Sequence, residues 1–332
     1  MVDHPVKMGS GGGQINTSLK KIKVKTVSKF KLLIICLFVI FSVGSGYCEN
    51  LNEKDELKKK VDSLFVLSCG GLEKYRDQQQ PAESTLVEMG EKAVPYLLEK
   101  LTTQSAREKW TLIRILGKIG EPAVMPLVDS LKSENKEVTK LTIRILGDIK
   151  DSRAVRPLIA LLNRDDYNVR SHSCEALGKI ADTLAFSEVS LRLEDSVEVV
   201  RKSAAVALGR MKDERAIPHL IRGMSDPHFS VRMSSANSMV QIGEPAIKPL
   251  LFLLDHSVQS TLHLAIESLG KLKAKKSVLP LLEKLKDEAW ATRAFAVEAL
   301  GEIGDQRGIL AIKKMKKEET HPFVLSKIDK IK

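Results

Sequence analysis

Histidine and cysteine have the widest chemical range in this sequence, so their spacing is the first question. The seven His lie at positions 4, 172, 219, 228, 256, 263 and 321. His172 and Cys174 are two residues apart on a predicted helix and therefore point to different faces. His256 and His263 are seven apart and could share a face, but no carboxylate or Cys nearby completes a metal-ligand set. The pattern predicts surface and helix-end histidines, no metal site and no cofactor.

Other catalytic patterns are absent from the sequence. It contains no Gly-rich phosphate loop, no nucleophile motif and no paired carboxylates at strand ends. Among the cysteines, Cys174 is expected to be a small buried hydrophobic residue, while a bridge between Cys48 and Cys69 stays open. No catalytic residue is predicted, and an enzymatic role is kept only as an alternative.

The elements that would position any site come from a repeated phrase. Near-copies such as Ile115–Ile119 and Ala176–Ile180 recur along the chain. Their central apolar residues fall at 116, 146, 177, 208, 239, 269 and 300, in steps of 30 or 31. A fixed period of this size is the signature of stacked repeats. The Gly after most of these apolar residues costs about 1 kcal/mol in a helix relative to Ala, so we expect it to admit the next unit's backbone.

Each repeat predicts two helices. The first has a Pro near its start and apolar residues at i, i+1 and i+4, as in Leu127, Val128 and Leu131. A short turn, often with Asp, leads to the second helix, which ends on the repeated phrase. Neither helix can bury its apolar stripe alone, so neighbouring hairpins must stack. The predicted fold is an all-α superhelix, an α-solenoid of about seven to eight helical hairpins.

The segment from Asp195 through Val200–Met211 resembles the HEAT-like repeat first described in phycobilin lyase subunits. The resemblance covers about residues 90–332 and implies an armadillo-like helical scaffold, without specifying an activity. In such repeats the turn Asp and the Arg six residues later commonly form a structural ladder. Here that spacing holds for Asp195/Arg201, Asp226/Arg232 and Asp287/Arg293. Deoxyhypusine hydroxylase, a related di-iron enzyme, holds its metal with His-Glu dipeptides, and this sequence has none.

The positive charge of this chain is concentrated at its ends. The formal net charge is +11, of which residues 1–48 contribute +6 and residues 304–332 contribute +4. The remaining body carries +1. A nucleic-acid-binding protein needs a basic stripe along its working face, so no nucleic-acid partner is predicted.

The N-terminal region has the pattern of a secretory signal peptide. Six Lys within 19–31 precede the uncharged run Leu32–Val43 and the small residues 44–46. We expect a signal peptide over 1–48 and an exported protein that is periplasmic, membrane-anchored or secreted. Two alternatives are an uncleaved anchor and lipidation of Cys48. Membrane contact is expected only through this segment.

The remaining boundaries follow from the repeats. Residues 49–89 are expected to form a linker and imperfect N-terminal capping helices, 90–303 the HEAT-like repeats, and 304–332 a C-terminal capping repeat. The second helix of the imperfect first unit is expected to begin near Ser84. Trp110 and Trp290 begin second helices, where each could cap the core or anchor a partner.

The candidate partner-binding face takes the residue two before each central apolar residue. Its members run from basic to acidic along the chain and are Arg114, Arg144, Glu175, Val206, Asn237, Glu267 and Glu298. Such a row could match a partner of opposite charge order. The predicted function is a non-enzymatic protein-interaction scaffold in the cell envelope or exported space. Alternatives are an enzyme-associated or lyase-like protein holding a small ligand or metal, and binding of an acidic polymer through Lys313–Lys317.

Overall fold

The computed structural model describes residues 52–70, 76–256 and 258–331, which contain helices and no strands. The predicted signal peptide, with His4, Cys36 and Cys48, lies outside these residues. The chain divides into two compact units, Met1–Ser63 and Leu64–Lys332. The described part of the first unit, 52–63, is helical and mostly exposed, and belongs to helix α1 (52–69). No helix in the described ranges combines the length and apolarity needed to span a bilayer.

The second unit is a stack of helical hairpins that follows α2 (Arg76–Met89). The first helices of the hairpins are α3 (Val94–Leu98), α5 (Glu121–Ser130), α7 (Val155–Ala160), α9 (Phe186–Leu191), α11 (Ile217–Gly223), α13 (Ile247–His256), α15 (Val278–Lys284) and α17 (Gln306–Met315). The second helices are α4 (Ala106–Ile119), α6 (Lys136–Ile149), α8 (Tyr167–Ile180), α10 (Glu198–Met211), α12 (Phe229–Ile242), α14 (Gln259–Lys271), α16 (Trp290–Ile303) and α18 (Pro322–Ile328). The described residues thus contain eight hairpins, which confirms the predicted all-α solenoid.

Local sequence signals set the ends of these helices. In the third hairpin, Asp151 accepts a hydrogen bond from the Arg153 N–H and starts a 3₁₀ turn that leads into α7. Asp166 then caps α8 by accepting from the Asn168 N–H at 2.9 Å. Most of the first helices therefore combine 3₁₀ and α segments, and the α-helical part ranges from 5 residues in α3 to 10 residues in α5, α13 and α17.

Helix α2 begins earlier than the sequence suggested. The expected second helix of the imperfect first unit began near Ser84, but α2 starts at Arg76 and includes the segment 78–80 and Pro81. Pro81 is the sixth residue of α2, where it removes one backbone donor without ending the helix. This start matters for the site because α2 carries Glu83.

The second helices pack against one another through the repeated phrase. Leu116, Leu146, Leu177 and Leu208 are completely buried. A Cβ placed on Gly178 would lie 2.6 Å from the Ala207 Cα atom of the next second helix. Similar contacts occur at Gly147, Gly209 and Gly270, which confirms the predicted close approach there. The prediction was wrong for Gly117, because nothing lies within 4 Å of a Cβ at that position.

Candidate interaction face

The second helices form one continuous layer. Helices α2, α4, α6, α8, α10, α12, α14, α16 and α18 contact one another in chain order. The layer repeats the same helix position once per hairpin, so the predicted row of candidate residues follows the stack. We call the surface that carries this row the second-helix face.

Arg114 is engaged at the start of the row. Its Nε donates to Glu83 Oε2 at 2.6 Å, and Lys118 Nζ donates to the other Glu83 oxygen at 2.8 Å. Arg114 also donates to the Ser68 carbonyl at 3.3 Å. Burial raises the pKa of Glu83, but the hydrogen bonds from Lys118 and Arg114 outweigh it and hold that pKa below its ordinary value. Two cations therefore share one carboxylate.

Arg144 has a different environment from Arg114. Its guanidinium lies over the Trp110 ring, 4.1 Å from the ring centroid. Trp110 is 56% exposed, so the stack lies at the surface instead of closing the core. No carboxylate among the described residues forms a salt bridge with Arg144 within 4.0 Å. This cation is held in place while its charge stays uncompensated.

The middle of the row is the least charged. Glu175 is exposed and accepts a hydrogen bond from Ser203 Oγ at 3.2 Å. Val206 is half-buried, and Asn237 is exposed and accepts from Lys271 Nζ at 3.4 Å. This part of the second-helix face offers open polar surface without a strong field.

The acidic end of the row surrounds a cavity of about 550 Å³. Glu267 pairs with Lys271 at 2.6 Å, and Glu298 pairs with Lys327 of the last helix. Glu302 lies in the same cavity, where burial, followed by the negative charges of Glu267 and Glu298, raises the pKa of its carboxyl. Most of the acidic charge predicted from sequence is thus compensated within the chain.

The arginines of the ladder connect neighbouring repeats. Arg201 donates through Nε and one terminal nitrogen to the Asp226 carboxylate, at 2.7 and 3.1 Å. Its other terminal nitrogen donates to the Asp195 carbonyl at 2.8 Å. The side-chain partner of Arg201 is therefore in the following repeat, and the Asp six residues earlier supplies its backbone carbonyl. Arg170 bonds Asp195 in the same way, at 2.8 Å for both oxygens.

The turn aspartates have two roles in this ladder. Asp195 Oδ1 accepts from the Val197 N–H at 2.9 Å, which fixes the turn, while both oxygens accept from Arg170. Burial raises the pKa of Asp195, but the bonds from Arg170 and Val197 lower it further, so the carboxylate is favoured. The same balance lowers the pKa of Asp226.

The ladder is interrupted in the sixth hairpin. Arg232 donates to the Asp226 carbonyl at 2.8 Å, as the other arginines do to their own turns. Leu262 occupies the next arginine position and cannot donate. Asp287 keeps its turn bond to the Ala289 N–H at 2.9 Å. The ladder resumes where Arg293 meets Glu319, at 2.7 and 2.9 Å.

Glu319 gives the ladder a measurable pH dependence. The hydrogen bonds from Arg293 lower the pKa of Glu319 to about 2, whereas an unfolded Glu has a pKa of about 4.3. Its stabilisation is fully present above the unfolded value and is lost as pH falls towards the folded value. We therefore expect the melting-temperature difference between wild type and Glu319→Gln to shrink between pH 6 and pH 3. Thermal melts of both proteins across this pH range measure the difference.

Glu318→Gln is the matched control, because Glu318 is an exposed neighbour of the same type. Other carboxylates titrate equally in all three proteins and cancel in the differences. The assignment of this pH dependence to Glu319 is contradicted if the melting-temperature difference between wild type and Glu319→Gln is the same at both ends of the pH range.

The histidines and cysteines remain separate from one another. No group of three or more His, Cys, Asp or Glu side chains suited to a metal occurs in the described ranges. His172 Nδ1 bonds the Asn168 carbonyl at 2.6 Å, and His263 stacks on Phe295 with centroids 4.7 Å apart. The His256 side chain lies outside the described residues. Cys174 is completely buried, as predicted, and this burial raises the pKa of its thiol to about 12.

Trp290 has aromatic neighbours in the last hairpin. It stacks on His321 with centroids 4.4 Å apart and meets Phe323 edge-on at 5.4 Å. Trp290 therefore ties α16 to the last hairpin. Sequence placed both tryptophans at the starts of second helices but gave no signal that distinguished them. The missed feature is the Trp110–Arg144 stack, whose members lie one repeat apart.

The fold and the second-helix face define a class, the α-solenoid of two-helix repeats. Residues 124–189, 187–261 and 247–328 match the family model of HEAT repeats. These segments cover more than half of the sequence, so the chain belongs to the HEAT-repeat family. No curated protein matches the chain.

Solved structures of several proteins resemble the chain. The complex of CpcE and CpcF of phycocyanin lyase from Nostoc sp. PCC7120 is 22% identical, covering 62% of this chain and 93% of that chain, with a TM-score of 0.38. Human deoxyhypusine hydroxylase in complex with glycerol is 20% identical, covering 75% and 96%, with a TM-score of 0.34. YibA of Escherichia coli is 19% identical, covering 79% and 97%, with a TM-score of 0.49.

Proposed function

We propose that this chain is a non-catalytic scaffold that binds a protein partner on the second-helix face. The observation that carries the proposal is the unbroken layer from α2 to α18, which presents one variable row of residues once per repeat. HEAT-type stacks expose such extended surfaces because each repeat contacts only its neighbours. The constant residues of each repeat are buried, so the variable row is the part free to specify a partner.

The change from basic to acidic residues along the row favours a protein partner over a polymer whose charges all have the same sign. The row begins at Arg114 and Arg144 and ends at Glu267 and Glu298. Complementary charges of this kind set orientation and specificity more than affinity. Arg144, which has no salt-bridge partner among the described residues, and Glu302, whose carboxyl has a raised pKa, lie towards opposite ends of the layer.

Export is the second part of the proposal. The Lys-rich segment, the apolar run Leu32–Val43 and the small residues that follow form the expected leader. We also propose the boundaries expected from sequence: a leader over 1–48, a lead-in over 49–89, repeats over 90–303 and a closing repeat over 304–332. The working compartment is then the cell envelope or the exterior.

A photo-crosslinking residue at position 175 tests the proposed face. Glu175 is exposed on second helix α8, and Ala160 is exposed on first helix α7 of the same hairpin, which makes it the control. In the native host we expect one defined adduct from position 175 and none from position 160. The protein recovered from the envelope should begin near residue 49. Equal adducts from both positions, or none from 175, contradict the proposed face.

A further inference from the structure

A small cleft on the second-helix face lies between α4, α6 and α8. Its volume is about 230 Å³. Trp110, Arg144 and His172 line it, together with Ile113 and Leu141. The last two are buried apolar residues, at 8% and 6% exposure, so the base of the cleft is apolar and its wall is polar and aromatic. We call it the Trp110 cleft.

The Trp110 cleft carries more positive than negative charge. Lys109 and Lys140 also line it, and both pair with the single carboxylate of Glu137, at 3.4 and 2.5 Å. Arg144 adds a third cation, for which the described residues supply no carboxylate. Three cations therefore face one anion, and an incoming carboxylate could pair with Arg144.

The geometry of Arg144 suits recognition of a carboxylate. The Arg144 guanidinium lies over the Trp110 ring, and no hydrogen-bond acceptor among the described residues takes its N–H groups, so its N–H edge is available to a ligand. That edge matches the two oxygens of a carboxylate. His172 Nδ1 donates to the Asn168 carbonyl, so its Nε2 is left for a second polar contact. The exposed part of Trp110 offers an apolar surface beside these groups.

We propose that the Trp110 cleft binds an acidic side chain of the protein partner, followed by an apolar residue. The carboxylate lies on the N–H edge of Arg144, and the apolar residue packs on Trp110. This inference rests on the proposed function and specifies one anchor point within it.

A nucleic acid is the other ligand that could stack on a tryptophan beside cations. It would need a continuous basic track for its phosphates. Glu137 lies within the cleft, and Glu267 and Glu298 lie further along the same layer. The body of the chain, 49–303, carries a net charge of only +1. The charge distribution therefore favours an acidic peptide.

The intrinsic fluorescence of Trp110 provides a local probe. The chain has two Trp, so Trp290→Phe leaves Trp110 as the reporter and keeps an aromatic ring beside His321. The test ligand is a capped peptide of alternating Glu and Leu, compared with the same peptide carrying Gln for Glu and with a ten-residue oligouridylate. We expect saturable binding of the Glu peptide with a Kd of about 100 μM, and about tenfold weaker binding of the Gln peptide.

Variants of Arg144 identify the anchor. Arg144→Gln should weaken binding of the Glu peptide about tenfold, and Arg144→Lys should recover only part of it because Lys lacks the planar fork. Arg156→Gln is the control, since Arg156 is exposed on first helix α7 and its loss changes the net charge equally. The affinity of this control for the Glu peptide should match that of the parent Trp290→Phe protein.

Three results overturn the inference. One is equal binding by Arg144→Gln and Arg156→Gln, the second is tighter binding of oligouridylate than of the Glu peptide, and the third is no saturable response of Trp110. If crosslinking at position 175 succeeds in any of these cases, the proposed function stands and only the assignment of the Trp110 cleft fails. If crosslinking at position 175 fails as well, the scaffold proposal fails with it.

Discussion

Replacing Gly178 by alanine is expected to destabilise the stack by about 1–3 kcal/mol. The new Cβ would lie 2.6 Å from the Cα and 2.8 Å from the Cβ of Ala207 on the next second helix. Both atoms belong to a rigid, buried segment and cannot move aside as the end of a long side chain could. Helices α8 and α10 must therefore separate. Urea denaturation measures the loss, and hydrogen exchange should locate it in these two helices.

Gly117→Ala is the matched control for this prediction. Gly117 occupies the equivalent position on α4, but nothing lies within 4 Å of a Cβ there. Alanine should then stabilise the helix by up to about 1 kcal/mol through its higher helix propensity. If both variants lose stability to the same extent, the role of Gly178 in close packing is disproved.

The difference between these two glycines shows how far the sequence could be interpreted. Gly178 faces Ala207, and Gly147 faces Ala176, so a small residue stands on the opposing helix. The equivalent residue of the next repeated phrase after Gly117 is Ile145, which is buried and larger than Ala, and the residue 29 positions after Gly117 is Leu146. Close approach needs small residues on both helices, and the prediction considered only the Gly on the first of them. A Gly followed 29 residues later by Ala or Ser would have been the better signal.

The fold itself was accessible because it depends on a regular apolar pattern. Buried residues such as Leu146 and Leu177 recur at the repeat period, and each hairpin has a polar turn at a fixed place. Burial of one stripe per helix allows few arrangements other than stacking. The pattern did not fix the α-helical length of the first helices, since turns such as 152–154 and 161–163 are 3₁₀.

The partners of the candidate face could not be deduced in the same way. Arg114 meets Glu83 across 31 residues, and Arg144 meets Trp110 across 34. These contacts depend on the rotation between successive hairpins and on side-chain length, neither of which appears in a one-dimensional pattern. As a result, the row seemed more strongly polarised in sequence than it is in the structure, where Lys271 and Lys327 compensate acidic residues of the row.

The same geometry explains why the pairings within the ladder could not be deduced from the sequence. The spacing of Asp195 and Arg201 predicts a ladder along the stack but does not say which carboxylate each Arg meets. In the fold, Arg201 reaches the side chain of Asp226, 25 residues further on, and donates to the backbone carbonyl of Asp195. One guanidinium thus holds its own turn and the next one together. Its removal should affect two hairpins at once.

Arg201→Met is accordingly expected to cost about 3–5 kcal/mol, the range for removing one partner of a buried ion pair. The side chains of Arg201 and Asp226 are 11% and 9% exposed. The variant leaves the Asp226 carboxylate with its turn bond to the His228 N–H at 2.8 Å but without its cation. Chemical denaturation measures the loss. Arg153→Met is the control, since Arg153 pairs with Asp151 in an exposed turn, and it should cost no more than about 1 kcal/mol.

The double variant Arg201→Met/Asp226→Asn distinguishes an ion pair from simple packing. If the cost of Arg201→Met comes from a stranded carboxylate, replacing that carboxylate by a neutral amide should restore about 1–2 kcal/mol, because no buried charge is then left without a partner. If the methylene groups of Arg201 carry the stability, the second substitution should add a further loss. Recovery in the double variant, together with a small effect of Arg153→Met, would assign the stabilisation to the charge pair between repeats.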